Sequence, residues 1–136
     1  MIAIAILKYA PTKPRPVCHG GLFLAKAWER YRLNDDVSAA CYLREAICRF
    51  LLCWCERDDV EVSELDKRSA MKVYRLWCKA RGQKPCHLLV DIITQCNQVV
   101  HLQPTEYEFY TLLDITQAMF ADEIEGFVND RKGGAL

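Results

Sequence analysis

Asn97 and His101 stand four residues apart in the mostly apolar stretch Gln95-Cys96-Asn97-Gln98-Val99-Val100-His101. On a helix that spacing is one turn, so an amide and an imidazole share one side and can hydrogen-bond the same neighbour. The architectural reading of the pair is a helix-terminal histidine that bonds Asn97 or the carbonyls of the last turn, where positive charge is favoured. A second set of residues is electrostatic. Residues 63–84 hold seven Lys/Arg against two acids, whereas 104–130 hold seven acids and no Lys or Arg. Arg68, Lys72, Arg75 and Lys79, with Arg81 and Lys84 beyond them, have the spacing and charge to track a phosphate backbone, and Lys13 and Arg15 could assist. The plainer reading is two solvated faces of opposite sign attracting weakly.

Thiols are the third chemical resource, with eight Cys in 136 residues. Cys18-His19 and Cys86-His87 combine ligand types that suit zinc, but structural zinc takes paired ligands separated by two to four residues. Cys53 and Cys55 on a helix point to different sides, and Cys41 and Cys48 read as small buried apolar residues. No metal site and no cofactor are expected. No sequence pattern supports a Cys-His nucleophilic pair. Gly20-Gly21 and Gly133-Gly134 lack the flanking strand of a phosphate loop.

The elements that must position these residues read as helices throughout. Met1 to Tyr9 has no pattern, Pro11, Pro14 and Pro16 then force an extended segment, and residues 1–19 read as an N-terminal arm. From Leu22 to Leu33, Leu24, Trp28 and Tyr31 keep helical spacing, and Asn34-Asp35-Asp36 ends that helix and caps the next. Val37 to Glu56 repeats Ala40, Leu43, Ile47, Phe50/Leu51 and Trp54, a stripe wide enough to face a core along its length. Ser63 and Asp66 resemble a capping box that starts a third helix, with Ala70, Val73, Trp77 and Ala80 turned inward and Gly82 as its stop. Pro85 restarts the chain into a fourth helix that turns Leu89, Ile92/Ile93, Cys96 and Val99/Val100 inward. Phe109, Leu113, Thr116, Phe120, Ile124 and Phe127 define the last, and Lys132-Gly133-Gly134 belongs to a flexible tail over 131–136. The expected architecture is all-α, a single-domain antiparallel bundle of about five helices over residues 20–130. Trp28, Trp54 and Trp77 each lie on an apolar stripe and read as core.

Composition bounds the function classes. Half of the residues are hydrophobic and a quarter charged, the balance of a globular chain rather than a disordered or fibrous one. Zero formal charge argues against strong non-specific nucleic-acid binding. No stretch approaches the ~18 apolar residues of a membrane span, and the first ten residues lack the basic start of a secretory leader. A cytoplasmic protein with reduced thiols and no membrane partner is expected.

The string from Asp35 to Trp54, an acidic cap followed by Ala-Ala-x-Tyr-Leu-Arg-Glu-Ala and a long apolar stripe, resembles the second helix of HEPN-type helical bundles. Cys96-Asn97-Gln98-Val99-Val100-His101 is similar to their signature: an Arg, often followed by Asn, and then a His after four to six residues. Only the Asn-x-x-x-His part is specific; the rest of the likeness is generic helix. The resemblance implies that His101 and Asn97 mark a site acting on RNA, commonly at a homodimer interface. Many members are inactive partners or binding modules.

The sequence departs from that pattern at Cys96, where the Arg is expected. RNA cleavage by internal transfer needs a base near the 2′-hydroxyl, an acid for the leaving oxygen and a fixed positive charge on the phosphate. A guanidinium supplies the last, and a thiol does not. Arg81 and His87 satisfy the literal spacing, but Gly82 and Pro85 put them across a helix break. The expectation is therefore a non-catalytic HEPN-like bundle with a binding or regulatory role, a homodimer with weak RNA affinity. The surplus of apolar residues on the second helix, Leu52 and Cys53 beside Leu51 and Trp54, adds to the dimer expectation. Two alternatives are a metal-independent endoribonuclease that uses His101 with a cation from Arg44, Arg49 or the third helix, and a protein-interaction module unrelated to nucleic acid.

Overall fold

The computed structural model describes residues 18–126, and these are helical with no strand among them. The α-helices are α1 (Gly20–Arg32), α2 (Asp36–Arg57), α3 (Ala70–Arg81), α4 (His87–Val100) and α5 (Phe109–Met119), with a 3-10 turn at Asp66–Arg68. Past a turn at Phe120, residues 121–126 resume helix. The expected flexible tail and Phe127 lie outside the described residues, as does the expected arm except for Cys18 and His19.

Every other helix packs on α2, which at 22 residues is about 33 Å long. Its stripe is buried as its spacing predicts, with Ala40, Leu43, Ile47, Phe50 and Leu51 almost without exposure. Asp35 caps it by accepting the Ser38 N–H at 3.2 Å, and the Ser38 hydroxyl together with that N–H lowers the carboxyl pKa. The closest packing is with α1. A β-carbon on Gly20 would lie 2.5 Å from the Phe50 ring, and that ring stacks on Phe120 with centroids 4.6 Å apart. Phe50 is thus held between the start of α1 and the residue that follows α5.

Four of these helices end in one device. The residue past the last turn takes a left-handed conformation, so that its N–H and the next reach back to orphaned carbonyls. Asn34 (φ 60°), Asp59 (φ 56°), Gly82 (φ 66°) and Leu102 (φ 57°) hold those positions. The long-reach bonds are Asp35 N–H to Arg30, Val60 to Cys55, Gln83 to Cys78 and Gln103 to Gln98 carbonyls, at 3.0, 2.7, 3.0 and 2.8 Å. Asn, Asp and Gly suit left-handed backbone. Leu does not, because its Cβ crowds the following carbonyl.

The expected third helix begins later than its capping signal suggests. Ser63 Oγ does accept the Asp66 N–H, at 3.1 Å, but the turn it caps is 3-10 and stops at Arg68. Ser69, with extended backbone, starts afresh as N-cap of α3 by accepting the Lys72 N–H. Two overlapping caps six residues apart read as one in sequence. The inward face of α3 also shifts: Ala80 is exposed, and Tyr74 and Cys78 are buried instead. The Tyr74 hydroxyl is bonded at 2.7 Å by the Cys86 N–H, which pins the start of α4.

The three indoles are anchored at their polar edges: Trp28 N–H to Gln117 at 2.9 Å, Trp54 to Glu123, and Trp77 to Asp58 at 2.8 Å. Trp77 is buried, whereas Trp28 and Trp54 are only half-buried, so the core reading holds in full for Trp77 alone. Burial pushes the Asp58 pKa up. The Trp77 bond, with Arg57 and Arg81 at 3.6 and 3.1 Å, outweighs it and leaves the carboxyl below its ordinary value.

Gly20→Ala is expected to lower stability by about 1–3 kcal/mol, since neither Phe50 nor the stacked Phe120 can yield. Leu102→Gly is expected to raise it by about 1 kcal/mol by removing the left-handed Cβ penalty. Urea midpoints check both. Because the folded Asp58 pKa is depressed, its contribution is full above the ordinary carboxylate value and is lost as pH falls through the lower folded one. Acid unfolding followed by tryptophan fluorescence should therefore lose part of its acid limb in Asp58→Asn.

Candidate functional site

Each residue of the Gln95-Cys96-Asn97 run is fixed by a different partner. Gln95 is buried, and its Oε1 accepts the Tyr107 N–H at 2.9 Å, which folds the segment after α4 back on that helix. Cys96 is wholly buried at 0% exposure, and burial pushes its thiol up to about 12 while the nearby Arg44 charge opposes the rise. Asn97, the next position round the helix, is exposed. Its Oδ1 accepts a hydrogen bond at 3.1 Å from the Arg44 guanidinium of α2.

His101 is the C-cap of α4. Its own N–H donates to the Asn97 carbonyl at 3.1 Å, and its imidazole, on an exposed residue, makes no hydrogen bond with the other described residues. The helix-terminal reading is right for the backbone. The Asn97 amide, however, serves Arg44 and not the imidazole. Beyond His101 the left-handed Leu102 is 82% exposed, the largest exposure among the big apolar side chains described.

Of the substitute cations, one reaches this turn. Arg44 bonds Asn97 and makes no ion pair among the described residues, so the rest of its fork remains available to an anion. Arg49 is engaged elsewhere, bonded to Glu45 at 2.8 Å and lying over the Phe23 ring at 5.5 Å. The third-helix cations are likewise remote from it. Arg68 closes the 3-10 turn and Lys72, Arg75 and Lys79 project from α3, all exposed, with no hydrogen bond or ion pair to Asn97 or His101. Lys72 lies 3.9 Å from Asp66, and Arg81 is committed to Asp58 and the Trp77 ring. Arg75 and Lys79 have no acidic partner among the described residues, whereas the Arg68 charge acts on Glu64, so part of the basic face keeps its field.

The acidic segment is not wholly solvated either, since Glu123 takes the Trp54 indole and lies 3.9 Å from Arg57. Leu52 and Cys53, the expected apolar surplus on α2, are partly buried against the core and partly exposed.

Two clefts were not foreseen from sequence. One, of about 470 Å³, is lined by Ala25, Trp28, Arg32, Tyr110, Asp114 and Gln117. The other, of about 810 Å³, lies between α2 and the segment before the 3-10 turn and is lined among others by His19, Arg49, Cys53, Glu56 and Lys67. Among the described residues no three His, Cys, Asp or Glu side chains gather as metal ligands. No helix there is long and apolar enough to cross a membrane. No protein-family model, curated protein or solved structure matches the chain.

The burial of Cys96 changes what substitution there can test. Cys96→Arg would place an unpaired charge in the core and is expected to cost about 3–5 kcal/mol. Arg44→Ala, at an exposed hydrogen bond, should cost about 0.5 kcal/mol. Chemical denaturation of the two variants checks the contrast.

Proposed function

We propose that this chain is a non-catalytic, HEPN-like helical-bundle protein that binds RNA weakly through a phosphate contact at Arg44, Asn97 and His101, and that it works as a homodimer. The observation that carries this reading is the 3.1 Å bond from Arg44 to Asn97. It holds an ionised guanidinium against the Asn-x-x-x-His turn, beside a position where the family pattern has an Arg and this chain has a buried thiol. Asn97 occupies one edge of the fork, and the remaining N–H groups suit a phosphate oxygen pair. The unpaired part of the α3 face, Arg75 and Lys79, adds a sequence-independent attraction, while the acids of α5 and beyond limit it.

Leu102 supports the dimer. An exposed Leu in left-handed backbone adjoins His101, at a position where the same turn elsewhere carries Asn, Asp or Gly. A second copy seated over the α4 terminus, with antiparallel neighbours around it as in the family, would bury that side chain and bring two copies of Arg44 and His101 together.

The same guanidinium favours a second reading, the metal-independent endoribonuclease. His101 supplies one proton-transfer group where transfer needs a base and an acid, so the other would come from the partner copy.

Fluorescence anisotropy with single-stranded and structured RNA, read alongside a cleavage assay, separates the readings. Binding is expected to weaken steeply with salt. Arg44→Glu should reduce it at least about tenfold and flatten the salt slope by ~0.7 for a lost single-strand contact. The triple reversal of Lys72, Arg75 and Lys79 to Glu should weaken binding to all sequences alike. Affinity untouched by either change removes the RNA reading in favour of a protein-interaction role. Cleavage by wild type that His101→Ala abolishes replaces it with the nuclease. Sedimentation at tens of micromolar, an order-of-magnitude choice for a stable interface, should give a dimer that Leu102→Gly weakens.

A further inference from the structure

The buried cysteines are not chemically alike. Cys48 and Cys55 direct their thiols at backbone carbonyls of Lys67 and Val73, at 3.1 and 3.9 Å, and burial raises both pKa values to about 11. Cys96 lies wholly in the core. All three behave as small buried apolar residues, and the weak donors of Cys48 and Cys55 meet carbonyls.

Cys18 and Cys53 differ in three respects. They lie at the same turn: the Cys18 sulfur is 4.0 Å from the Arg49 carbonyl, the oxygen one turn before Cys53 on α2, and the two thiols are near enough to shift each other's pKa in opposite directions. The backbone behind them is already as close as packing allows, because the Gly20 start of α1 sits on Phe50, between Arg49 and Cys53 in sequence. And Cys53 lines the 810 Å³ cleft together with His19, Arg49 and Lys67, so a small solute can reach its sulfur while Cys18 stays shielded.

We propose that Cys18 and Cys53 form an oxidant-reactive dithiol, a modification site at which a hydroperoxide converts the pair to a disulfide bond tying the entry of α1 to α2. The chemistry balances in two steps. The Cys53 sulfur attacks the terminal oxygen of the hydroperoxide, the O–O bond breaks, and Cys53 becomes a sulfenic acid as its thiol proton leaves with the departing oxygen as an alcohol, or as water from hydrogen peroxide. The Cys18 sulfur then attacks the sulfenic sulfur, the S–O bond breaks, and the hydroxyl leaves as water with the Cys18 proton. The pair loses two electrons and two protons, and the peroxide is reduced.

A thiol that donates to its neighbour lowers the neighbour's pKa, the direction found for Cys18, while that bond and burial push Cys53 up. Cys53 therefore reacts first because it is the sulfur the cleft exposes, and Cys18 is the readier thiolate for the second step. The nearby acids Glu56 and Glu123 add to the rise at Cys53.

The test uses the full chain, reduced and then exposed to a small excess of hydrogen peroxide under denaturant-free conditions. The expected product has lost about 2 Da and two of its eight titratable thiols, and its non-reducing tryptic map joins the peptides holding Cys18 and Cys53. Its urea midpoint should rise and return on reduction. Cys18→Ser and Cys53→Ser should each abolish the intramolecular product, and in Cys18→Ser the Cys53 sulfenic acid should persist long enough for a dimedone probe to capture it. Because either variant could be poorly folded, the wild-type map decides independently: a bridge joining any other pair, or oxidation confined to the exposed Cys41 and Cys86, overturns the proposal. Cys48→Ser should leave the bridge unchanged, and its loss there would also overturn the assignment.

Discussion

The Phe50 ring is the part on which the arrangement of helices depends. It lies against Gly20 at a distance no side chain could share and stacks on Phe120 from another direction. One residue of α2 therefore sets how closely α1 can approach and where the chain must be after α5. The first consequence is that Cys18, just before α1, is pressed onto the α2 turn that carries Arg49 and Cys53. The second is that residues 121–126 are led past the end of α2, where Glu123 meets Trp54 and Arg57. The shape of a glycine thus places a thiol pair on one side and a charged cluster on the other.

Charge in this bundle is spent locally before it can produce a field. Asp58 gathers Trp77, Arg81 and Arg57, Glu123 shares Arg57, and Asp66 lies near Lys72, so the basic and acidic segments are each partly neutralised by neighbours. Two of these acids, Asp58 and Glu123, sit at indole edges, where a carboxylate both accepts an N–H and meets a guanidinium. What remains outward is a smaller cationic set on α3 and the isolated Arg44 of α2. Surface pairs contribute little to stability, but they decide which cations an anionic partner can still find.

Most of the helical pattern was legible in the sequence because burial follows period. Ala40, Leu43, Ile47, Phe50 and Leu51 face inward as their spacing requires, and Gly82 stops α3 in the left-handed conformation its type favours. The divergences have local causes. Ser63 and Ser69 both cap, so the signal at Ser63 was assigned to a helix that begins at Ala70. Ala80 falls past the point where α3 still packs, and small residues carry no sign of which side they take. Trp28 and Trp54 satisfy an apolar stripe while keeping polar edges toward Gln117 and Glu123, a division that period alone cannot express. The site was half legible. Asn97 and His101 announce themselves by spacing, but Arg44 is 53 residues from Asn97 and is brought to it only by the packing of α2 on α4.

That packing also explains how a thiol can stand at position 96 without emptying the turn of charge. Position 96 points into the core between α2 and α4, where an arginine would have to lose its hydration or push the helices apart. Position 97 points out, and α2 passes near enough for Arg44 to lay its stem along the helix contact and bring its head to the Asn97 amide. A core contact of the small Cys96 permits the close approach, and the close approach lets a cation from the neighbouring helix serve the exposed turn. An amide holding a guanidinium by one edge also restricts its rotamers, so Arg44 has less freedom left to lose in any further contact. The thiol and the cation are in this sense one arrangement: enlarging residue 96 would move α2 away and carry Arg44 off the turn whose charge it supplies.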